Sequence, residues 1–262
     1  MITNLITATL LVAGIGLLIG LLLGVAQKKL AIESNPTENA IRAALPGNNC
    51  GGCGYPGCDA LAAAIACKKA PTAACPVGGS VSAKKIAEIM GEKVEDRRRM
   101  VAFVHCSGDC DKSNQQYEYY GTYNCAMLDT IPGKGSKICD SGCLGYGNCV
   151  RSCPFDAIHI INGIAVVDKE KCRACRKCMS ACPKHLISLV PYDSNVAVAC
   201  SSSQRGKTVM NACKAGCISC TKCEKVCPNK AITLFNNIPM IDYDLCDDCQ
   251  TCKEACPRKV IH

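Results

Sequence analysis

The first 27 residues carry no charged side chain, and from Leu5 to Val25 the chain is almost wholly apolar. A helix over that stretch is about 30 Å long, the thickness of a hydrocarbon core. Residues 1–27 therefore read as a single N-terminal transmembrane helix. Gly16, Gly20 and Gly24 recur along it, with Gly14 and Ala13 close by, and small residues at that interval leave a flat face that another helix can approach. Lys28 and Lys29 follow the apolar run instead of preceding it. That order argues against a cleavable export signal and holds the C-terminal side in the cytoplasm.

After Asn35-Pro36 the pattern breaks into short segments. Helical periodicity marks 38–45, an Ala-rich stretch at 59–69, and 82–90. Further on, alternation takes over. Ile158–Ile161 with Ile164–Val167, and Ile232–Phe235 with Ile238–Ile241, read as β-hairpins with Asn at the turn. Two apolar strands, 101–106 and 196–200, each run into a cysteine. The expected fold is α+β: a membrane anchor over 1–27, a small helical domain over 28–95, and two similar modules over 96–192 and 193–262. The basic run from Glu95 to Met100 reads as a solvated linker whose arginines suit an acidic partner.

Few large apolar groups remain to build a core outside the anchor, but there are 26 cysteines in 262 residues. Three times they fall as C-x2-C-x2-C-x3-C-P: Cys172, Cys175, Cys178, Cys182; Cys217, Cys220, Cys223, Cys227; and Cys246, Cys249, Cys252, Cys256. This is similar to the ligand run of bacterial two-cluster ferredoxins, where three thiolates hold one 4Fe–4S cube and the fourth holds its neighbour. Repeated C-x2-C pairs do not suit disulfide geometry. Four-thiolate zinc explains neither the third cysteine of each run nor the C-P step. A different spacing, C-x2-C-x4-C-x16-C, places Cys50, Cys53, Cys58 and Cys75 around another cube, with glycines between the first three.

The two modules are an internal repeat. Aligning Cys139, Cys143, Cys149, Cys153 on Cys213, Cys217, Cys223, Cys227 puts Tyr146 where the second copy has Cys220. Cys139 is the nearest substitute, so by the crossed ferredoxin rule one cube takes Cys139, Cys143, Cys149 and Cys182, and the next takes Cys153, Cys172, Cys175 and Cys178. In the second copy Cys217, Cys220, Cys223 go with Cys256, and Cys227 goes with Cys246, Cys249, Cys252. Those assignments make five cubes. Cys106, Cys110 and Cys125 lie in an insertion that the second copy lacks. Together with Cys213 or Cys200 they are candidate ligands of a sixth cube, or else buried thiols. Cys67 reads as a buried free thiol inside a helix.

With its anchor, its Cys50-Gly-Gly-Cys-Gly-Tyr-Pro-Gly-Cys58 and Cys75-Pro-Val-Gly-Gly motifs, and its tandem ferredoxin modules, the chain resembles the B subunits of Rnf complexes over essentially its whole length. It is similar to the long, duplicated form. The resemblance implies an electron-transfer subunit of a membrane-bound ferredoxin:NAD+ oxidoreductase that transports Na+ or H+. Soluble ferredoxin would be the donor and the other Rnf subunits the partners. The alternative is a relay in the related Rsx assembly, which reduces a redox-sensing transcription regulator.

The remaining features change little. Each cube with its thiolates carries roughly −2, so five would bring the formal +8 to about −2 and remove the basic case for nucleic-acid binding. No G-x-G-x-x-G follows a strand, and Arg205-Gly-Lys-Thr208 lacks the earlier glycine of a phosphate loop. His105, His159, His185 and His262 show no ligand-pair spacing. Position along the chain makes the cube at Cys50 the exit toward the membrane and the module ending at His262 the receiving end.

Overall fold

The computed structural model describes residues 2–29, 35–94 and 98–262; within the first helix, side chains are described at Ile6, Leu10, Leu11 and 13–25. That helix, α1, runs Ile2–Lys29, and its described leucines are exposed. Among the described residues no helix is long and apolar enough to cross a membrane. The side chains of Lys28 and Lys29, which carried the orientation, lie outside the described residues, as do residues 95–97. A Cβ on Gly14, Gly16, Gly20 or Gly24 would meet nothing within 4 Å.

Three helices make the N-terminal unit: α2 (Pro36–Ala44), α3 (Cys58–Ala66) and α4 (Gly79–Met90). Asn35 caps α2, its side chain accepting from the Thr37 amide, and Pro36 fills the first turn where no N–H is needed. Gly91, in the left-handed region at φ 66°, ends α4. Ile41, Leu61, Ile65 and Ile86 meet at 0–1% exposure, and each is worth about 1.5–3 kcal/mol on burial. Cys67 is the C-cap of α3 and is exposed. The expected buried thiol is thus a surface one: on the helical period Cys67 falls with Ala60 and Ala63, on the side of α3 away from buried Leu61, Ala62 and Ile65.

The rest of the chain is built twice. In the first copy β1 (Met100–Val104) leads to α5 (Cys125–Thr130), α6 (Asn148–Arg151), β2 (Ile158–Ile161), β3 (Ile164–Val167), α7 (Lys177–Ala181) and β4 (Ile187–Pro191). In the second come α8 (Gly206–Ala212), α9 (Lys222–Val226), β5 (Ile232–Phe235), β6 (Ile238–Ile241) and α10 (Thr251–Glu254). β2–β3 and β5–β6 are the expected antiparallel hairpins. Both turn residues have positive φ, at Asn162-Gly163 and at Asn236-Asn237, as a tight hairpin turn requires.

β1 pairs antiparallel with β4 from Met100↔Pro191 to Val104↔Ile187. The equivalent segment of the second copy, expected as a strand at 196–200, makes only the bridge Val198↔Ile261, with amide–carbonyl bonds between Ala197 and His262. Each copy keeps a small core, around Val101, Ile158 and Val190 in one and Val196, Ile232 and Val260 in the other. Arg98 and Arg99 do not float in a linker. Arg98 pairs with Asp193 and donates to the Tyr243 carbonyl, while Arg99 donates to the Lys169 and Glu170 carbonyls and lies 3.8 Å over the Tyr192 ring. Both are spent inside the chain: Arg98 ties the first copy to the second, and Arg99 braces the first copy on itself.

Candidate metal centres

The cysteine loops share one unusual backbone. Between the cysteines of each run two residues have positive φ: Ala174 and Arg176, Ser219 and Thr221, Asp248 and Gln250. None is glycine, and Thr221 is β-branched, so each loop holds strain that an ordinary turn would not tolerate. Alternating right- and left-handed residues turn successive amides into a concavity suited to an anionic group, as at many Fe–S sites. In the first copy Gly145 and Gly147 adopt the same conformation around Tyr146. A second device repeats after each C-P step. Asp156, His185, Lys230 and Lys259 are left-handed, and the next amide returns to the cysteine sulfur: Ala157 to Cys153 at 3.5 Å, Leu186 to Cys182 at 3.5 Å, Ala231 to Cys227 at 3.3 Å, Val260 to Cys256 at 3.4 Å.

The cysteines gather around separate cavities. One is lined by Cys50, Cys53, Cys58 and Cys75, a second by Cys153, Cys172, Cys175 and Cys178, and a third by Cys217, Cys220, Cys223 and Cys256. These are the sets the sequence suggests. Cys227, Cys246 and Cys252 also pack in one cluster, and burial first, then the neighbouring Cys246 and Cys249, push the Cys252 thiol up. Among the described residues no group of three or more His, Cys, Asp or Glu is arranged to hold a single metal ion. A cubane asks for a different arrangement, because each thiolate binds its own iron at a separate corner.

Two placements differ from expectation. Cys125, not Cys139, lines the cavity of Cys143, Cys149 and Cys182. Cys139 lines another cavity with Cys106, Cys200 and Cys213. The reason lies in the insertion. Asn124 caps α5 and Asn148 reaches back, accepting from the Cys125 amide at 3.1 Å and donating to the Asn124 side chain at 3.0 Å, which pins Cys125 beside Cys149. Tyr146, standing where the second copy has a cysteine, packs against Tyr123 and Tyr119 at ring distances of 5.1 and 6.1 Å. The tyrosine standing in a cysteine's place thus packs on the segment that brings Cys125 to this cavity. Cys110, expected with the insertion's other cysteines, is exposed and sits against the β2–β3 turn, its amide donating to the Asn162 carbonyl at 3.0 Å.

Burial dominates the thiol chemistry. It pushes Cys178 up to about 12 and Cys139, Cys149 and Cys223 up to about 11, each raised further by neighbouring cysteines. The cavities also adjoin one another. A Cβ on Gly52 would lie 2.9 Å from the Cys175 carbonyl oxygen, so only glycine lets the N-terminal loop rest on the first module. Cys178 feels the charge of Cys149. The Cys143 amide donates to the Cys106 sulfur, and the Cys217 amide to the Cys200 sulfur, both at 3.3 Å.

Family models agree with this arrangement. A "putative Fe-S cluster" model matches residues 45–77, and 4Fe–4S dicluster domain models match 135–183, 171–231 and 216–261. The chain is 49% identical to the B subunit of the Na(+)-translocating ferredoxin:NAD(+) oxidoreductase complex of Acetobacterium woodii, over 88% of this chain and 69% of that protein. The chain belongs to the B-subunit family of the ion-translocating (Rnf) oxidoreductase complexes. It is 38% identical to the proton-translocating counterpart of Clostridium ljungdahlii, over 88% of this chain and 82% of that one. Identity to the B subunit of the ion-translocating oxidoreductase complex of Methanosarcina acetivorans is 39%, over 92% of both chains. Within this Rnf B family the residues match what a 4Fe–4S cube asks of a protein: four cysteines per cavity, amides aimed at sulfur, and strained loops that point dipoles inward.

Proposed function

We propose that this chain carries electrons from soluble reduced ferredoxin to the membrane subunits of an ion-translocating ferredoxin:NAD+ oxidoreductase. The reading rests above all on the succession of adjoining cysteine cavities from the N-terminal unit to the last module. Bound 4Fe–4S cubes supply one-electron redox chemistry. The protein's part is to hold them. We assign Cys50, Cys53, Cys58 and Cys75 to the first, Cys153, Cys172, Cys175 and Cys178 to the second, and Cys125, Cys143, Cys149 and Cys182 to the third. Cys217, Cys220, Cys223 and Cys256 serve another, and Cys227, Cys246, Cys249 and Cys252 the last. Amides donating to sulfur, such as Ala102 to Cys172 and Gly78 to Cys75, both at 3.3 Å, stabilise added negative charge and so favour reduction.

α1 is the membrane anchor, with the cysteine domains on the cytoplasmic side. Support comes from its 28-residue helical length, its charge-free sequence as far as Gln27 and the lysines after it. Electrons leave from the Cys50 unit, which follows the anchor, and arrive at the module containing Cys246.

The test uses the full-length, anaerobically loaded protein and reduced ferredoxin. Cys53→Ser leaves the distal sites reducible but stops transfer onward to the membrane subunits, whereas Cys246→Ser impairs acceptance from ferredoxin. Iron content is measured first, since loss of a ligand can unfold its domain. If Cys53→Ser prevented ferredoxin from reducing the distal sites, the direction would be reversed.

A further inference from the structure

We propose that Cys106, Cys139, Cys200 and Cys213 form a sixth 4Fe–4S site, shared between the two modules, each giving one equivalent pair of thiolates. The inference rests on the reading that the chain loads such cubes, and adds a ligand set that no C-x2-C run contains.

The four line one cavity, and they are related by the repeat. Cys106 and Cys200 each close an apolar run, and Cys139 and Cys213 each precede the first loop cysteine of their copy by four residues. Their surroundings match as well. The Cys143 amide donates to Cys106 and the Cys217 amide to Cys200, both at 3.3 Å. A turn bond runs from Gly142 to the Cys139 carbonyl at 3.2 Å, and from Gly216 to the Cys213 carbonyl at 3.3 Å. The copies are tied together here: His105 Nδ1 donates to the Val198 carbonyl, the Ser201 hydroxyl to the His105 carbonyl, and the Ser107 amide to the Ala199 carbonyl. Four thiols lining one cavity, two from each copy at equivalent positions, have the ligand count of a cubane.

A second, independent observation points to an anion in this cavity. Lys137 lines it and is 6% exposed. Its Nζ donates to the Gly108 and Gly163 carbonyls at 2.7 and 3.3 Å, and among the described residues no Asp or Glu pairs with it. A buried ammonium without a counter-anion is costly. Four thiolates around a cube supply the missing negative charge. The position also matters, since through Cys143 and Cys217 this cavity adjoins one loop of each module. A cube here would join the two ferredoxin units.

Iron and sulfide counts on the full-length, anaerobically loaded chain decide the matter. Six sites need about 24 iron atoms and five need about 20, at four per cube. Each of Cys106→Ser, Cys139→Ser, Cys200→Ser and Cys213→Ser should lose about four irons and the same component of the reduced EPR spectrum. Cys110→Ser, at an exposed thiol, should lose none. Should a variant fail to fold, the wild-type count stands alone. A wild-type count near 20, or any of the four variants keeping the wild-type iron, overturns the sixth site while leaving the electron-carrier reading intact. Near-zero iron in the wild type would instead sink that reading.

Discussion

Gly52 offers a direct test of how the N-terminal unit meets the first module. The three nearest atoms to an added Cβ are the Cys175 carbonyl oxygen at 2.9 Å, its Cα at 3.1 Å and its carbonyl carbon at 3.2 Å. All are backbone, so none can rotate away. Ordinary contact begins at 3.4 Å, and Gly52→Ala must therefore separate the loops by about half an ångström. Overpacking of this kind costs about 1–3 kcal/mol, which loosens the contact roughly 5- to 150-fold. Hydrogen exchange on the loaded protein should speed up by that factor in peptides over 50–58 and 172–178. Peptides around Ile41, Ile65 and Ile86 should not change. Electron arrival at the N-terminal site after reduction by ferredoxin should slow as well. Gly54→Ala is the control: it strains a φ of +89° but meets nothing within 4 Å. Unchanged exchange and transfer in Gly52→Ala, or an equal effect from Gly54→Ala, would refute the close-approach argument.

Two further outcomes follow from the cavities. Cys125→Ser should remove about four irons and Tyr146→Ala should make the insertion more sensitive to protease while lowering iron at the same site; metal analysis and limited proteolysis check both, and full iron in Cys125→Ser would return that ligand position to Cys139. Loading should also release protons. Burial raises Cys178 to about 12 and Cys139, Cys149 and Cys223 to about 11, so near neutrality these groups are thiols that must lose a proton to bind iron. Loading is accordingly favoured as pH rises, by about tenfold per pH unit for each such thiolate, a dependence that levels off only as pH passes the raised values. Proton release in lightly buffered solution, corrected for the sulfide reagent, should approach one per ligating cysteine, and no release would contradict it.

What the sequence determined by itself is local. The C-x2-C runs, the prolines after them and the hairpins at Ile158–Ile161 and Ile232–Phe235 depend on residues a few positions apart, and the thiols carry their chemistry wherever they sit. Even the anomaly was visible, as Tyr146 in the place of a cysteine, and so was the equivalence of Cys139 with Cys213. What followed from them was not. Proximity along the chain favours Cys139 beside Cys143, Cys149 and Cys182, yet it is Cys125 that lines their cavity, because Asn148 and the tyrosine cluster fix the insertion. Cys139 is held in the cavity between the copies, and Cys67 ends up at the surface, on the side of α3 away from its packed face. Tertiary structure alone decided those partners, along with the burial of Lys137 and the need for glycine at position 52. Each depends on where two distant segments pack, and neither spacing nor periodicity encodes the distance between segments that are not neighbours in the chain.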